Sequence, residues 1–321
     1  MDLRKRLLFL LIFAGLASLL PLIIDSPRWM NTLNQIIYYM ILALSWNLIM
    51  GYTGLFSFGH MGMALVGGYG SALLVMKAGV PVGLAMLLGG LAAALASLLL
   101  GVICLRLRGF YLCLVTWAFA EMMGTVLRVE YKVTGGTMGL MVPGLFGSGG
   151  AEYYYFVGLA LLVLFLISLI LIVSSRVGVY LQSIRDDEMA SEVMGVDTVL
   201  WKIFSFSFSG FWAGIAGAYY AHYMGVIAPS MGDLSELGSV MLMVIIGGIG
   251  TLVGPVIGSV FVVFLTDFLS GSLAEISVLV FALLMIVTMR FFRGGILAWV
   301  RAAYEKFSGS GDKKGGIVAK G

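Results

Sequence analysis

Long apolar runs recur along the chain, separated by short joins that hold most of the polar and charged residues. A helix that spans a membrane needs about 20 mostly apolar residues. Candidate spans fall at 7–24, 33–50, 55–76, 80–104, 109–127, 153–173, 202–224, 237–253, 255–270 and 276–292. A membrane β-barrel would instead show short segments of alternating polarity. The pattern therefore predicts an all-α, polytopic membrane protein with about ten transmembrane helices and no soluble domain. The membrane domain covers 1–307. The tail 308–321 (SGSGDKKGGIVAKG) has no apolar periodicity and is expected to be disordered. The shortest joins are Gly51–Gly54 and Gly254–Pro255. If either pair of runs is one broken span, the topology downstream changes.

One join is unlike the rest. Between 174 and 201 the chain reads SSRVGVYLQSIRDDEMASEVMGVDTVLW, a charged island between apolar runs. Its centre reads as one short helix of about 8–10 residues. Ser183 with Asp186 resembles a capping box, and Asp186, Asp187 and Glu188 place negative charge at a helix start. Gly195 suits the position just past the end. Met189 and Val193 are four apart, as are Ala190 and Met194, which makes a small apolar face. A membrane-surface helix carries a basic polar face, whereas this one is acidic and anionic lipid would repel it. A partner protein is the better match. Arg185, Asp186, Asp187, Glu188, Met189, Ala190, Ser191, Glu192 and Gly195 are the candidate contact set, expected to receive force from a separate ATP-hydrolysing subunit.

Composition agrees with the pattern and sets an orientation. Hydrophobic residues make up 61% of the chain and charged residues 11%, against about 45–50% and 25% in soluble proteins. Lysine and arginine concentrate on the cytoplasmic side of membrane proteins. With the N-terminus inside and ten spans, only Arg28, Lys77, Arg128 and Lys132 of the 19 basic residues fall outside. Both termini are then cytoplasmic. The start, 1–24, is read as a span rather than a signal peptide, because its apolar run is too long for an h-region. The net charge of +3 is scattered over span ends and points to no nucleic-acid partner. Cys104 and Cys113 both fall near the cytoplasmic boundary, where a disulfide is not expected.

Glycine totals 44, much of it inside apolar runs. Gly210 with Gly214, and Gly250 with Gly254 and Gly258, form small-xxx-small steps that let helix backbones approach closely. GYTGLFSFGH (51–60) and IIGGIGTLVGP (245–255) also read as helix breaks, which survive at membrane depth only where protein or a hydrated cavity covers them. They occupy matching places in a weak internal repeat, about 33–127 against 205–292. Ionisable groups within spans are few: His60, Glu121 and Asp267. Each marks either a permeation path or a structural pairing. Arg128, seven positions after Glu121, shares its helical face. Asn34, Gln35 and Asn47 are neutral polar groups expected to bond between helices.

Catalytic equipment is not visible in the sequence. No lysine is followed by Ser or Thr, so no Walker A loop exists. No Gly-x-Ser-x-Gly elbow occurs. His60 and His222 make a poor metal site. An ion-coupled secondary transporter would have to use His60, Glu121 and Asp267. A membrane enzyme would need a polar cluster at one depth, which the pattern lacks.

The segments 47–74, 105–123, 134–140, 184–196, 210–230 and 245–260 together carry a resemblance. They are similar to the permease subunits, of the M-type, of ATP-binding-cassette importers for branched-chain amino acids. The resemblance implies inward movement of branched-chain amino acids or similar small amino acids and amides by alternating access. It implies two ATP-binding subunits that hold ATP and magnesium, with no cofactor on this chain. A second homologous permease, a periplasmic or surface-anchored binding protein, and a bacterial or archaeal cytoplasmic membrane are implied with them. The family's Glu-Ala-Ala-type coupling motif appears here as Met189-Ala190-Ser191-x-x-x-Gly195, with Glu188 one place early and serine for the second alanine. It also suggests that 51–70 and 245–258 lie near the path. The path candidates are Gly54, Ser57, Gly59, His60, Gly62, Glu121, Gly247, Gly248 and Gly250.

Overall fold

A computed structural model describes residues 3–23, 26–104, 107, 109–145 and 150–270, with 283 and 286. Apart from 283 and 286, the predicted span 276–292 and the second half of the internal repeat beyond 270 lie outside the described residues, as does the tail 308–321. Among these residues the chain is almost wholly helical. The helices are α1 (Leu3–Ile23), α2 (Pro27–Asn47), α3 (His60–Ala78), α4 (Val82–Cys104), α5 (Phe110–Val129), α6 (Tyr131–Thr134), α7 (Ala151–Ser174), α8 (Arg176–Asp186), α9 (Glu188–Val193), α10 (Thr198–Met224), α11 (Leu234–Gly247) and α12 (Gly254–Ser270). A two-residue ladder pairs β1 (Leu140–Met141) antiparallel with β2 (Val226–Ile227).

By length and composition, six helices among the described residues can cross a membrane: Pro27–Tyr52, His60–Ala78, Val82–Cys104, Phe110–Val129, Ala151–Ser174 and Thr198–Met224. Leu10–Pro21, Leu234–Gly247 and Gly254–Leu269 are shorter apolar helices. The expected third span, 55–76, is helical only from His60, and the expected eighth, 237–253, ends at Gly247. Glycine-rich breaks cause both differences. α11 and α12 have 14 and 17 residues, or about 21 and 26 Å at 1.5 Å per residue, against a hydrocarbon core of about 30 Å. They are not one broken span. A methyl group on Gly247 would strike the Gly254 carbonyl, and one on Gly258 would strike that of Met243, so the two helices pack side by side as an antiparallel hairpin.

α2 is central. Ile41, Leu42, Ala43, Leu44 and Trp46 are fully buried, and Asn34 links the helix to two others. Its amide donates to the Ala151 carbonyl of α7 at 3.1 Å and accepts from the Tyr219 hydroxyl of α10 at 2.7 Å. α3, α4 and α10 are joined by glycine. A side chain on Gly67 would run into Gly214, one on Gly217 into the Ala64 carbonyl, and one on Gly210 into Ser97 and Ala93. Lipid supplies no hydrophobic drive between helices, so this close approach is what holds them.

The bundle has two distinct ends. At one, Arg28 meets Asp267 at 3.3 Å, Arg128 meets Asp233 at 2.6 Å, β1 pairs with β2, and His222 Nδ1 lies 2.7 Å from the Pro143 carbonyl. At the other, Arg6 donates to Ser174 at 3.3 Å, and the joins 48–59 and 248–253 gather beneath α8.

Candidate functional site

The charged island folds as two helices, not one. α8 is capped by Ser175, whose hydroxyl accepts from the Val177 amide at 3.2 Å. α9 is capped by Asp187, whose carboxylate accepts from the Ala190 amide at 3.0 Å. The expected capping box of Ser183 and Asp186 does not form. Ser183 is inside α8, where its hydroxyl donates to the Tyr180 carbonyl at 2.9 Å. The acidic run supplies a cap all the same, one position later, because Asp187 is the residue whose backbone turns extended (φ −158°, ψ 109°). Gly195 follows α9 with φ +85°, a left-handed conformation that glycine adopts without strain.

α9 turns its apolar residues outward: Met189 is 66% exposed, Val193 86% and Met194 82%. Ala190 and Glu192 are exposed beside them, and Ser191 is buried. The inner side is fastened to α10. Lys202 Nζ donates to Glu188 at 2.5 Å, the Thr198 hydroxyl donates to Glu192 at 2.8 Å, and the Asp197 carboxylate caps α10 at the Leu200 amide. The Lys202 side chain is only 6% exposed, so this ion pair is far better shielded than the exposed pairs elsewhere. The result is a short apolar knob whose base is riveted to a membrane-length helix. Glu188, one of the candidate contact residues, is held by Lys202.

Arg185 also points inward. Its Nη1 donates to the Gly51 carbonyl at 2.9 Å, while Nε and Nη2 donate to Asp186 at 3.0 and 2.9 Å. Its Cα and side chain fill the space that a residue other than glycine at Gly54 would need.

The path candidates divide into three groups. Gly54 and Gly250 come together around Arg185, with Gly247 and Gly248 at the foot of the hairpin. Beside them is an open cavity of about 470 Å³ whose polar lining includes Arg6, Tyr52, Gln182 and Thr251. Ser57, Gly59, His60 and Gly62 are buried and closely packed. The Ser57 carbonyl accepts from Trp46 Nε1 at 2.9 Å, His60 Nε2 lies 2.6 Å from Ser45 Oγ, and Gly59 and Gly62 seat Thr116 and Ala120 of α5. Glu121 stands apart on the exposed face of α5, a helix that buries only Leu112, Thr116, Ala120 and Gly124. Arg128 serves Asp233 rather than Glu121, because the loop before α11 folds back over it. Asp267, at the far end, pairs with Arg28.

Asn47, expected to bond between helices, ties α2 to the join between α11 and α12. Its amide donates to the Thr251 carbonyl at 2.8 Å, and its Oδ1 accepts from the Gly250 amide at 2.9 Å, which splints the hairpin tip onto α2. The available signal was an amide four residues before Gly51, one helical turn from a predicted break.

A bundle of membrane-length helices with glycine-lined seams, two broken joins and an exposed apolar knob is a multi-pass membrane protein. The chain belongs to the family described as branched-chain amino acid transport system / permease component, whose model matches residues 29–289. Among curated relatives, it is 29% identical to the high-affinity branched-chain amino acid transport system permease protein LivM of Escherichia coli. That match covers 95% of this chain and 78% of the relative. The LivM of Salmonella typhimurium is 28% identical over the same shares. A probable branched-chain amino acid transport permease protein LivM of Methanocaldococcus jannaschii is 25% identical, over 68% of this chain and 75% of the relative.

Proposed function

We propose that this chain is a permease subunit of an ATP-binding-cassette importer. It moves branched-chain amino acids, or similar small amino acids and amides, inward across a bacterial or archaeal cytoplasmic membrane. Two ATP-binding subunits hold ATP and magnesium, a second homologous permease completes the pair, and a periplasmic or surface-anchored binding protein delivers the substrate. Both termini are cytoplasmic, with α8 and α9 on that side.

One observation carries this reading: α9 presents Met189, Val193 and Met194 to the outside while Lys202 and Thr198 fasten its other side to α10. An exposed apolar knob on a charged base is the shape that seats in a partner's groove. A push on it travels along α10 into the seam with α3 and α4. The proposed path follows the Glu121 face of α5 and the joins that hold Gly54 and Gly247–Gly250. Ser57, Gly59, His60 and Gly62 form the packed wall behind it. A carboxylate in mid-span costs roughly 2.5–3.5 kcal/mol in lipid, so protein or water is expected to cover Glu121.

The test is Ala190→Glu. Ala190 is exposed, so the change leaves the fold intact, and a carboxylate in the middle of the knob bars it from an apolar groove. Uptake of radiolabelled leucine should fall to background while the amount of subunit in the membrane stays at the wild-type level. Undiminished uptake would reject the docking role.

A further inference from the structure

Three backbone segments that are distant in sequence meet at one point beneath α8. α2 does not end as a plain α-helix. It passes into a π turn at Leu48–Tyr52, which shifts its last carbonyls out of register. Local donors take three of them: the Thr53 hydroxyl reaches Leu48, the Leu55 amide reaches Ile49, and the Gly54 amide reaches Met50. The Gly51 carbonyl accepts from Arg185 instead. Against the same residue lies the tip of the α11–α12 hairpin. A side chain on Gly51 would collide with Asn47 and the Gly250 backbone. One on Gly250, itself at φ +74°, would lie 3.0 Å from the Gly51 carbonyl oxygen and 3.3 Å from Arg185 Nη1. Asn47 then holds the hairpin tip from the other side with its two bonds to Gly250 and Thr251.

We propose that Arg185 is a positioning residue. With Gly51, Asn47 and Gly250 it forms a clasp that carries movement of the α8–α9 island to the inner ends of α2 and of the α11–α12 hairpin, and so sets whether that end of the path is shut. The inference rests on the importer reading given above but assigns Arg185 differently, since the guanidinium faces the permease and not the ATPase. Asp186 holds the guanidinium by Nε and Nη2, which leaves Nη1 to reach Gly51. Only the extended residue Asp187 separates α8 from α9, so the knob cannot be displaced far without pulling on this bond. Glycine suits all three positions of the clasp: a Cβ at 51 would strike Asn47 and the Gly250 backbone, and Gly54 and Gly250, at φ +75° and +74°, hold a left-handed backbone against Arg185.

The experiment uses the assembled transporter, purified with its ATP-binding subunits and reconstituted in liposomes. It compares Arg185→Ala, Arg185→Lys and Asp186→Ala. In Arg185→Ala the ATP-binding subunits should co-purify as in the wild type, and ATP hydrolysis should continue. Substrate uptake per ATP should drop by about tenfold, the scale of a broken coupling. Lysine keeps one donor within reach of Gly51 and should restore much of the ratio. Asp186→Ala removes a residue whose side chain is 69% exposed and should give an intermediate loss without harm to the fold. A second readout does not depend on the ATPase. Amide hydrogen exchange across 48–54 and 248–253 should speed up in Arg185→Ala while the α3–α4–α10 seam stays protected. Loss of the ATP-binding subunits from Arg185→Ala would make it a docking residue and overturn the proposal. Unchanged coupling with unchanged exchange would overturn it too. Faster exchange in a transporter whose uptake ignores ATP would leave the clasp standing and sink the importer reading instead.

Discussion

Lys202 shows how a residue on the membrane boundary can be made structural. Its side chain is 6% exposed and that of its partner Glu188 is 20% exposed. Removing one member of a fully buried pair costs roughly 3–5 kcal/mol, because the other charge is left unpaired out of water. With Glu188 one-fifth exposed, Glu188→Ala should cost about 2 kcal/mol. A lowered midpoint in thermal unfolding of the detergent-solubilised chain would record it. Adding Lys202→Met should recover most of the loss, since the stranded charge is then gone. Arg28 with Asp267 makes the contrast: Arg28 is 73% exposed, and breaking such a pair is worth less than about 1 kcal/mol. Residue type and position in the sequence do not separate these two pairs. Each joins a base at the start of a span to an acid on another helix, and only the folded neighbourhood decides which pair is shielded.

At the scale of elements, glycine does two different jobs. In α3, α4 and α10 it is a packing surface. Gly67 meets Gly214, and Gly89 meets the Gly67 carbonyl and Ser71. Gly67→Val or Gly214→Val should therefore prevent assembly of the three helices. The expected outcome is loss of the monodisperse peak in size-exclusion chromatography of the extracted protein. Gly15→Ala and Gly83→Ala are the controls, because nothing lies within 4 Å of the added methyl at either site, and both should behave as wild type. In the joins at 51–54 and 248–250 glycine permits backbone conformations and approaches that other residues resist: Gly54 has φ +75°, Gly248 +122° and Gly250 +74°. The small-xxx-small spacing announced the first job. The second was announced only as a break, with no hint that the two breaks touch.

At the scale of the whole molecule, the contacts sort the joins into two sets that alternate along the chain. The 51–59, α8–α9 and 248–253 joins lie at one end, and the β1–β2 ladder, Arg128–Asp233 and Arg28–Asp267 lie at the other. The proposed orientation puts the first set on the cytoplasmic side. Labelling can test the orientation in a chain with Cys104 and Cys113 replaced by alanine. Val193→Cys, at a position 86% exposed, should react with a membrane-impermeant maleimide only when the cytoplasmic face is opened. Met141→Cys, at a position 87% exposed, should react in intact cells. The reverse pattern would invert the topology and move the knob away from any cytosolic motor.

The sequence alone determined the class of protein, the rough placement of most of the apolar helices, and the acidic island as a charged break between them. These properties are local. Apolar length, cap chemistry and glycine spacing are written in neighbouring residues, and the bilayer forces every apolar run of that length into a helix. Tertiary structure alone decided the partners. It turned Glu188 toward Lys202, Arg128 toward Asp233, and Arg185 toward the carbonyl of Gly51. It also closed α11 and α12 into a hairpin whose tip rests on Asn47. Such pairings depend on which helices pack side by side, and helix packing is a sum of many small contacts over long sequence separations that no local pattern encodes.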